Sequence, residues 1–416
     1  MLLSVLLLLL QLSSTQATHF FGTVMTYYPK QTDADGAMTV VIRYKLSFRS
    51  CTDFDAWYCS GSCGSLDYSL EEVDMEASRE WCQREGIMTP VISPRDSTNY
   101  LFQGGNWIDG IKNGVISWTA WTIVELRKRS DTGRANISPQ STILPAVRVP
   151  SNCQRDFNLL AFDPDGDNVQ CRYGSDSLNE CSPCAPPSVL NLSSSCTLSF
   201  NKTSSINEGP YAVQLVMQDF PRQVITLTNV YGVQETRMTN EAISKIPIQF
   251  VLHVDPAVPS CIEGLFLPKF LPPTPENRAK LVTKANQALE IRITAEATNS
   301  IISELLFSGP SSMVKNSSGS GNFMLTWTPS TKEEGESHPI CFVVQATLNS
   351  TKYHSELRCV IVYVEYSLVA RVNMKVLSSL SSGGNVNHVL LQQISDELLH
   401  CILQELLQPS GVSSLQ

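Results

Sequence analysis

The sequence predicts a mainly β protein of tandem disulfide-bonded β-sandwich modules, closed by a short C-terminal β-α segment. Period-two alternation of apolar and polar residues recurs along most of the chain, in runs of strand length. Gly, Pro, Asn and Asp clusters break these runs at short intervals, as in all-β domains. Of the 13 cysteines, 12 fall in groups of four, six and two behind an apolar leader and Cys401 stands alone, which points to separately stapled modules in an oxidising compartment.

Residues 1–17 read as a secretory signal. Leu2–Leu10 is almost unbroken apolar sequence, suited to a signal core and too short to span a bilayer, and Gln11–Ala17 is small and polar. No later run is comparably apolar, so no transmembrane segment is expected and the mature chain should be secreted and extracellular. Net charge is −9, from 30 basic and 39 acidic residues. The longest basic run is Arg127-Lys128-Arg129, which reads as a solvated strand end, so nucleic acid is excluded as a partner.

Residues 18–149 form the N-terminal sandwich-like module. Val40, Ile42, Tyr44, Leu46 and Phe48 alternate with polar residues, and the Asp33–Gly36 turn joins this strand to Phe21–Tyr28 as a hairpin. Ile116–Leu126 is a second aromatic and β-branched run, while the charged stretch Leu66–Glu85 suits one or two helical turns. Ser138–Pro150, with three prolines, reads as a linker or leading edge strand.

Residues 150–262 form a cysteine-rich module. Its expected strands are Phe157–Phe162, Val169–Tyr173, Cys196–Phe200, Tyr211–Gln218, Gln223–Leu227 and Ile246–Val254. A proline-rich joint, Pro256–Pro275, precedes the module at 263–366. There the expected strands are Leu289–Ala295, Glu304–Phe307, Phe323–Trp327, Ile340–Thr347 and Arg358–Val364. Residues 367–416 carry one alternating strand and an amphipathic helix over Val386–Gln408, which Pro409 stops. One strand and one helix do not make a stable domain, so this segment docks on a neighbour, binds a partner or belongs to a truncated domain.

Leu159-Leu-Ala-Phe-Asp-Pro-Asp-Gly-Asp-Asn-Val-Gln-Cys-Arg-Tyr173 resembles the strand–turn–strand signature of cadherin-like domains, and Gly209–Pro221 resembles their later strand. Pro272-Pro-Thr-Pro, Phe323-Met-Leu-Thr-Trp-Thr-Pro and Gly335 ahead of Ile340-Cys-Phe look like an Ig-like or cadherin-like module. Over most of the chain the joint pattern resembles a group of uncharacterised secreted vertebrate proteins built from such modules. The resemblance implies a sandwich fold and leaves activity open.

Calcium is the cofactor these motifs raise; no other is expected. Asp163, Asp165 and Asp167 alternate around Gly166, and hard oxygen donors on a tight turn suit Ca²⁺. The second ligand set of a cadherin linker is absent, being replaced near Asp255 by proline-rich sequence. A solvated Asp/Gly turn is the competing reading, and both stay open at this point.

Cysteines expected in disulfides are Cys51, Cys59, Cys63 and Cys82; Cys153, Cys171, Cys181, Cys184, Cys196 and Cys261; and Cys341 with Cys359. Cys181-Ser-Pro-Cys184 has oxidoreductase spacing but sits among prolines in a β module, so a structural bridge is expected. Cys401 is left over and is assigned an unpaired or intermolecular role. Glycosylation sequons occur at Asn136, Asn191, Asn201, Asn316 and Asn349. Trp107, in a glycine-rich loop, is the candidate for an exposed ligand contact.

None of the 6 histidines accompanies a Gly-x-Ser-x-Gly elbow or a His-Glu-x-x-His run, so no catalytic residue is assigned. The expected function is non-enzymatic binding, adhesion or matrix building through sandwich modules, with an extracellular protein or glycan as ligand. The C-terminal helix or Cys401 would join copies of the chain. A secreted enzyme or inhibitor with a discontinuous site, and a structural spacer, are the alternatives.

Overall fold

The computed structural model describes residues 19–32, 36–53, 70–93, 97–319 and 321–366. The signal segment, Cys59, Cys63, Cys401 and the C-terminal strand and helix lie outside the described residues. Within them the chain is β throughout, with short 3-10 turns and no α-helix.

Long strands with both faces covered set the architecture. Phe20–Thr32 pairs antiparallel with Met38–Phe48 on one side and with Ser244–Asp255 on the other. The sheet runs in the order Asn168–Tyr173, Gly209–Phe220, Ser244–Asp255, Phe20–Thr32, Met38–Phe48, Cys82–Met88, Glu71–Met75. Phe20–Tyr28 and Ser244–Leu252 are buried residue after residue, as expected of central strands packed on both faces. Gly22 permits the approach of the first strand: a Cβ there would sit 2.0 Å from the Gln249 carbonyl oxygen.

This sheet corrects the expected boundary at 149/150, because strands from both sides of it pair directly. Ser138–Pro150 is not a linker either. Residues 138–147 are all buried, and Ala146–Pro150 adds a parallel strand to Ser244–Asp255. Its prolines sit where no ladder N–H is missed: Pro145 instead offers its carbonyl to the Val251 N–H at 2.9 Å. The expected helical turns at Leu66–Glu85 are also corrected. Glu71–Met75 and Cys82–Met88 are paired strands, held by tertiary pairing that outweighs the charge-rich composition.

Residues 269–365 form two further sheets. One runs Lys269–Leu271, Leu289–Glu296, Asn322–Trp327, Val314–Gly319; the other runs Lys280–Lys284, Arg358–Glu365, Ser337–Leu348, Ile301–Ser308. Ile291, Ile293, Leu325, Trp327, Phe342 and Val362 fill the space between them. The outward face of the second sheet is covered as well. Leu306, Cys341, Val343, Cys359 and Ile361 belong to the same apolar cluster as Phe20, Leu144 and Val251. The described residues thus fall within one compact unit.

Disulfides join Cys51–Cys82, Cys153–Cys261, Cys171–Cys196, Cys181–Cys184 and Cys341–Cys359. Each stays within the sequence group that contains it. Cys341 and Cys359 face each other in register on neighbouring strands, with Cα atoms 4.0 Å apart.

Candidate functional site

The Asp163–Asp167 turn is built by its own first side chain. Asp163 Oδ1 accepts the N–H groups of Asp165 at 2.9 Å and Asp167 at 3.0 Å. Gly166 supplies the left-handed residue at φ +84°. The strand leaving the turn pairs with Gly209–Phe220 and brings Val169 opposite Asp219. Asp163, Asp167 and Asp219 then place carboxylate oxygens within 4.8 Å of one another, all buried. Asp165 points elsewhere, accepting the Ile137 N–H at 2.7 Å. The trio read from sequence is therefore not the trio that meets in space.

A buried cation lies among these carboxylates. The Arg129 side chain is wholly enclosed and donates to both oxygens of Asp167, bidentately to Asp131 at 3.0 and 2.8 Å, and to Asn136 Oδ1. Asp165 lies 3.6 Å away. Asn136 Nδ2 donates onward to Asp219 at 2.7 Å and to the Tyr27 hydroxyl at 3.2 Å. Ser244 closes the other side, its N–H and hydroxyl both 2.7 Å from Asp219 Oδ1.

Burial, reinforced by the negative charges of Asp219 and Asp167, pushes Asp163 up to about 8. Burial raises Asp219 to about 6, against the hydrogen bonds from Asn136 and Ser244. Burial thus favours the protonated form of Asp163, whose Oδ2 has no hydrogen-bond partner among the described residues. Ca²⁺ takes six to eight oxygens, but here Arg129, Asn136, Ser244 and backbone amides already engage most of the set. Asp163 Oδ2 and Asp165 Oδ1 alone lack partners. With Arg129 in place, these residues do not fit a calcium shell.

Neither arginine beside Lys128 is solvated, which corrects the strand-end reading. Arg127 is buried and forks onto Glu125 at 2.9 and 2.7 Å and onto Glu235 at 2.6 Å. Glu125, Arg127, Arg129 and Asp131 stand two residues apart with matched signs. That alternation was the available sequence signal for a paired, inward face.

Two site assignments are overturned by burial. Asn136 is 0% exposed with its amide nitrogen committed to Asp219, so it is not a glycosylation acceptor. Asn191, Asn201, Asn316 and Asn349 are exposed. Trp107 is 2% exposed and meets Phe20 edge-on, ring centroids 4.9 Å apart, so it is core and not a ligand platform. The glycine-rich loop concealed this because Phe20, far away in sequence, provides the packing surface.

No described histidine addresses a nucleophile. His354 bonds Gln345 at 3.0 Å, and His338 faces Glu336 at 3.2 Å. Cys181 and Cys184 are joined to each other.

A cavity of about 790 Å³ opens on the outer side of Lys128. Its walls come from Tyr28 and Lys30 of the first strand, Lys128 and Arg134, and the segment from Thr331 to Glu336. Lys30 is paired with Glu336 at 2.5 Å. Lys128, Arg134 and Lys332 make no ion pair among the described residues.

No protein-family model and no curated protein sequence matches the chain. Solved structures similar to it include an endo-fucoidan hydrolase of glycoside hydrolase family 107 (13% identity, 78% of this chain and 42% of that one, TM-score 0.19). Immunoglobulin domains 1–4 of Sidekick-1 overlap at 12% identity, 82% and 66% coverage and TM-score 0.17. Human protocadherin-24 EC1-2 overlaps at 11% identity, 56% and 100% coverage and TM-score 0.16. The chain spans about two fifths of the length of the hydrolase. At these scores no residue role is carried across. Among the described residues no helix is long and apolar enough to cross a membrane.

Proposed function

We propose that the chain is a secreted, non-catalytic binding protein of the extracellular adhesion or matrix type. The observation that carries this reading is the open cleft beside Lys128, where Lys128, Arg134 and Lys332 make no ion pair among the described residues while the neighbouring buried Arg127 and Arg129 are each held by carboxylates. A volume near 790 Å³ lies within the range of small-ligand sites. Five disulfides among the described residues suit an oxidising extracellular setting. The same reading assigns the carboxylate cluster a structural task, with Arg129 as its cation and no calcium.

The test is to secrete the full chain from cultured cells and probe it against arrays of cell-surface proteins and extracellular glycans, alongside a panel of hydrolase substrates. Saturable binding to an array member with no turnover is expected. Turnover of a substrate, or an array empty of saturable binders, would overturn the reading.

A further inference from the structure

We infer that the cleft beside Lys128 takes a sulfated oligosaccharide. This rests on the binding reading above and assigns its ligand class.

Charge is the first argument. The chain carries a net −9, so a concave surface rich in unpaired cations is not what its composition would supply by default. Lys30, Lys128, Arg134 and Lys332 line the cavity together with Glu334 and Glu336. Glu336 is already held by Lys30, Arg43 at 3.0 Å and His338, so it does not neutralise the others. Three cations against Glu334 leave a surplus for sulfate groups.

Preorganisation is the second. Lys128 sits between two arginines locked into carboxylates, on a strand paired with Thr228. Arg134 closes a tight loop in which its carbonyl accepts the Arg129 N–H at 2.9 Å. Lys332 rides on a 3-10 turn fixed by a reciprocal cap between Ser330 and Glu333. The backbones are therefore set before a ligand arrives, and only side-chain ends remain to be ordered.

The third argument separates a glycan from an acidic peptide. Tyr366 lies on the rim at 63% exposure, and its hydroxyl rests against Gly335, where a Cβ would meet it at 2.0 Å. Glycine at 335 thus lets the tyrosine lie close to the surface with most of its ring open. An exposed aromatic face beside separated cations matches alternating sugar rings and sulfates. The exposed sequons Asn191, Asn201, Asn316 and Asn349 do not line the cleft, so glycans attached there would leave it open.

The experiment measures binding of a heparin hexasaccharide to the full glycosylated chain by calorimetry, with the fully desulfated hexasaccharide and polyglutamate in parallel. Saturable binding of the sulfated probe alone is expected, weakening as salt is raised. Lys128→Glu with Arg134→Glu should reduce affinity at least tenfold, and Tyr366→Ala should reduce it by a smaller factor of about three. Reversing Lys202 and Lys284, which are exposed and outside the cleft, should leave it unchanged. Thermal unfolding reports whether each variant is folded, and Tyr366→Ala serves if the double reversal is not. No binding of the sulfated probe, equal binding of polyglutamate, or unchanged binding by folded cleft variants would overturn the inference. If the heparin arm fails while another array member binds, the inference falls and the binding reading stands.

Discussion

The carboxylate cluster and the cleft are built on neighbouring residues of one short strand, yet they treat positive charge in opposite ways. Arg129 is enclosed and spends every direction of its guanidinium on Asp131, Asp167 and Asn136. Lys128 turns the other way, into a cavity, and has no ion pair among the described residues. Inside, the guanidinium is matched donor for acceptor, because an unmatched buried ion costs several kcal/mol. Outside, water compensates the ammonium, so folding places little demand on it and a ligand is free to use it.

Breaking the matched side should give the largest effect. Arg129→Met keeps the length of the chain's reach but strands Asp131 and Asp167, at a cost of about 3–5 kcal/mol by chemical denaturation. Lys128→Met should stay within about 0.5 kcal/mol of wild type. Equal losses would erase the distinction between the two residues.

How much of this was readable depends on the range of the physical cause. Alternation in Met38–Phe48 predicted its strand because each residue's facing is decided locally by the pleat. Its hairpin partner was legible through the Asp33–Gly36 turn. The merging of residues on both sides of 149/150 into one sheet was not legible, since nothing local announces that Phe20–Thr32 lies beside Ser244–Asp255. Proline runs read as joints for the same reason: Pro145 and Pro150 look unstructured until the parallel neighbour is known.

The candidate site divides likewise. The Asp163–Asp167 turn follows from Asp and Gly chemistry within five positions, whereas Asp219, Arg129 and Asn136 are recruited from distant segments. The cleft cations Lys30, Lys128, Arg134 and Lys332 come from separate segments and form no sequence cluster, while the two arginines of the basic tripeptide are internal, held by Glu125, Glu235, Asp131 and Asp167. Asn136-Ile-Ser138 satisfies a sequon while the side chains of Asn136 and Ser138 both bond inward. Sequence motifs do not report burial.

A smaller effect should come from pH and tests whether buried groups elsewhere obey the same matching rule. Burial first, then the nearby Arg148, holds His253 down at about 3, and His354 is depressed well below its ordinary value by burial, Arg148 and Arg155. Both are neutral in the folded chain at neutral pH. As pH falls below about 6.5 the unfolded chain takes up these protons first, so their contribution is full above that value and lost as pH falls, toward about pH 3 for His253. Asp163 and Asp255, raised to about 8 and about 6, act in the opposite sense, their contribution fading as pH rises through those values. The informative quantity is therefore the difference between His354→Gln and wild type. It should narrow the acid loss that sets in as pH falls below the ordinary histidine value of about 6.5. Parallel curves would show that His354 is not held neutral.

The smallest expected effect is the most direct probe of the cluster's cation. With Arg129 engaged, adding EDTA or about 1 mM calcium should leave the unfolding midpoint where it is. A calcium site with a dissociation constant near 10⁻⁴ M would instead add about 1.4 kcal/mol at roughly ten times that concentration. The same titration on Arg129→Met sharpens the point. Removing the guanidinium releases both oxygens of Asp167 beside Asp163 and Asp219, a donor set closer to what a divalent ion requires. Calcium should then recover part of the lost stability in the variant while doing nothing for wild type. Stabilisation of wild type by calcium would make Arg129 a neighbour of the metal and not its replacement, and the matched interior would need a second cation.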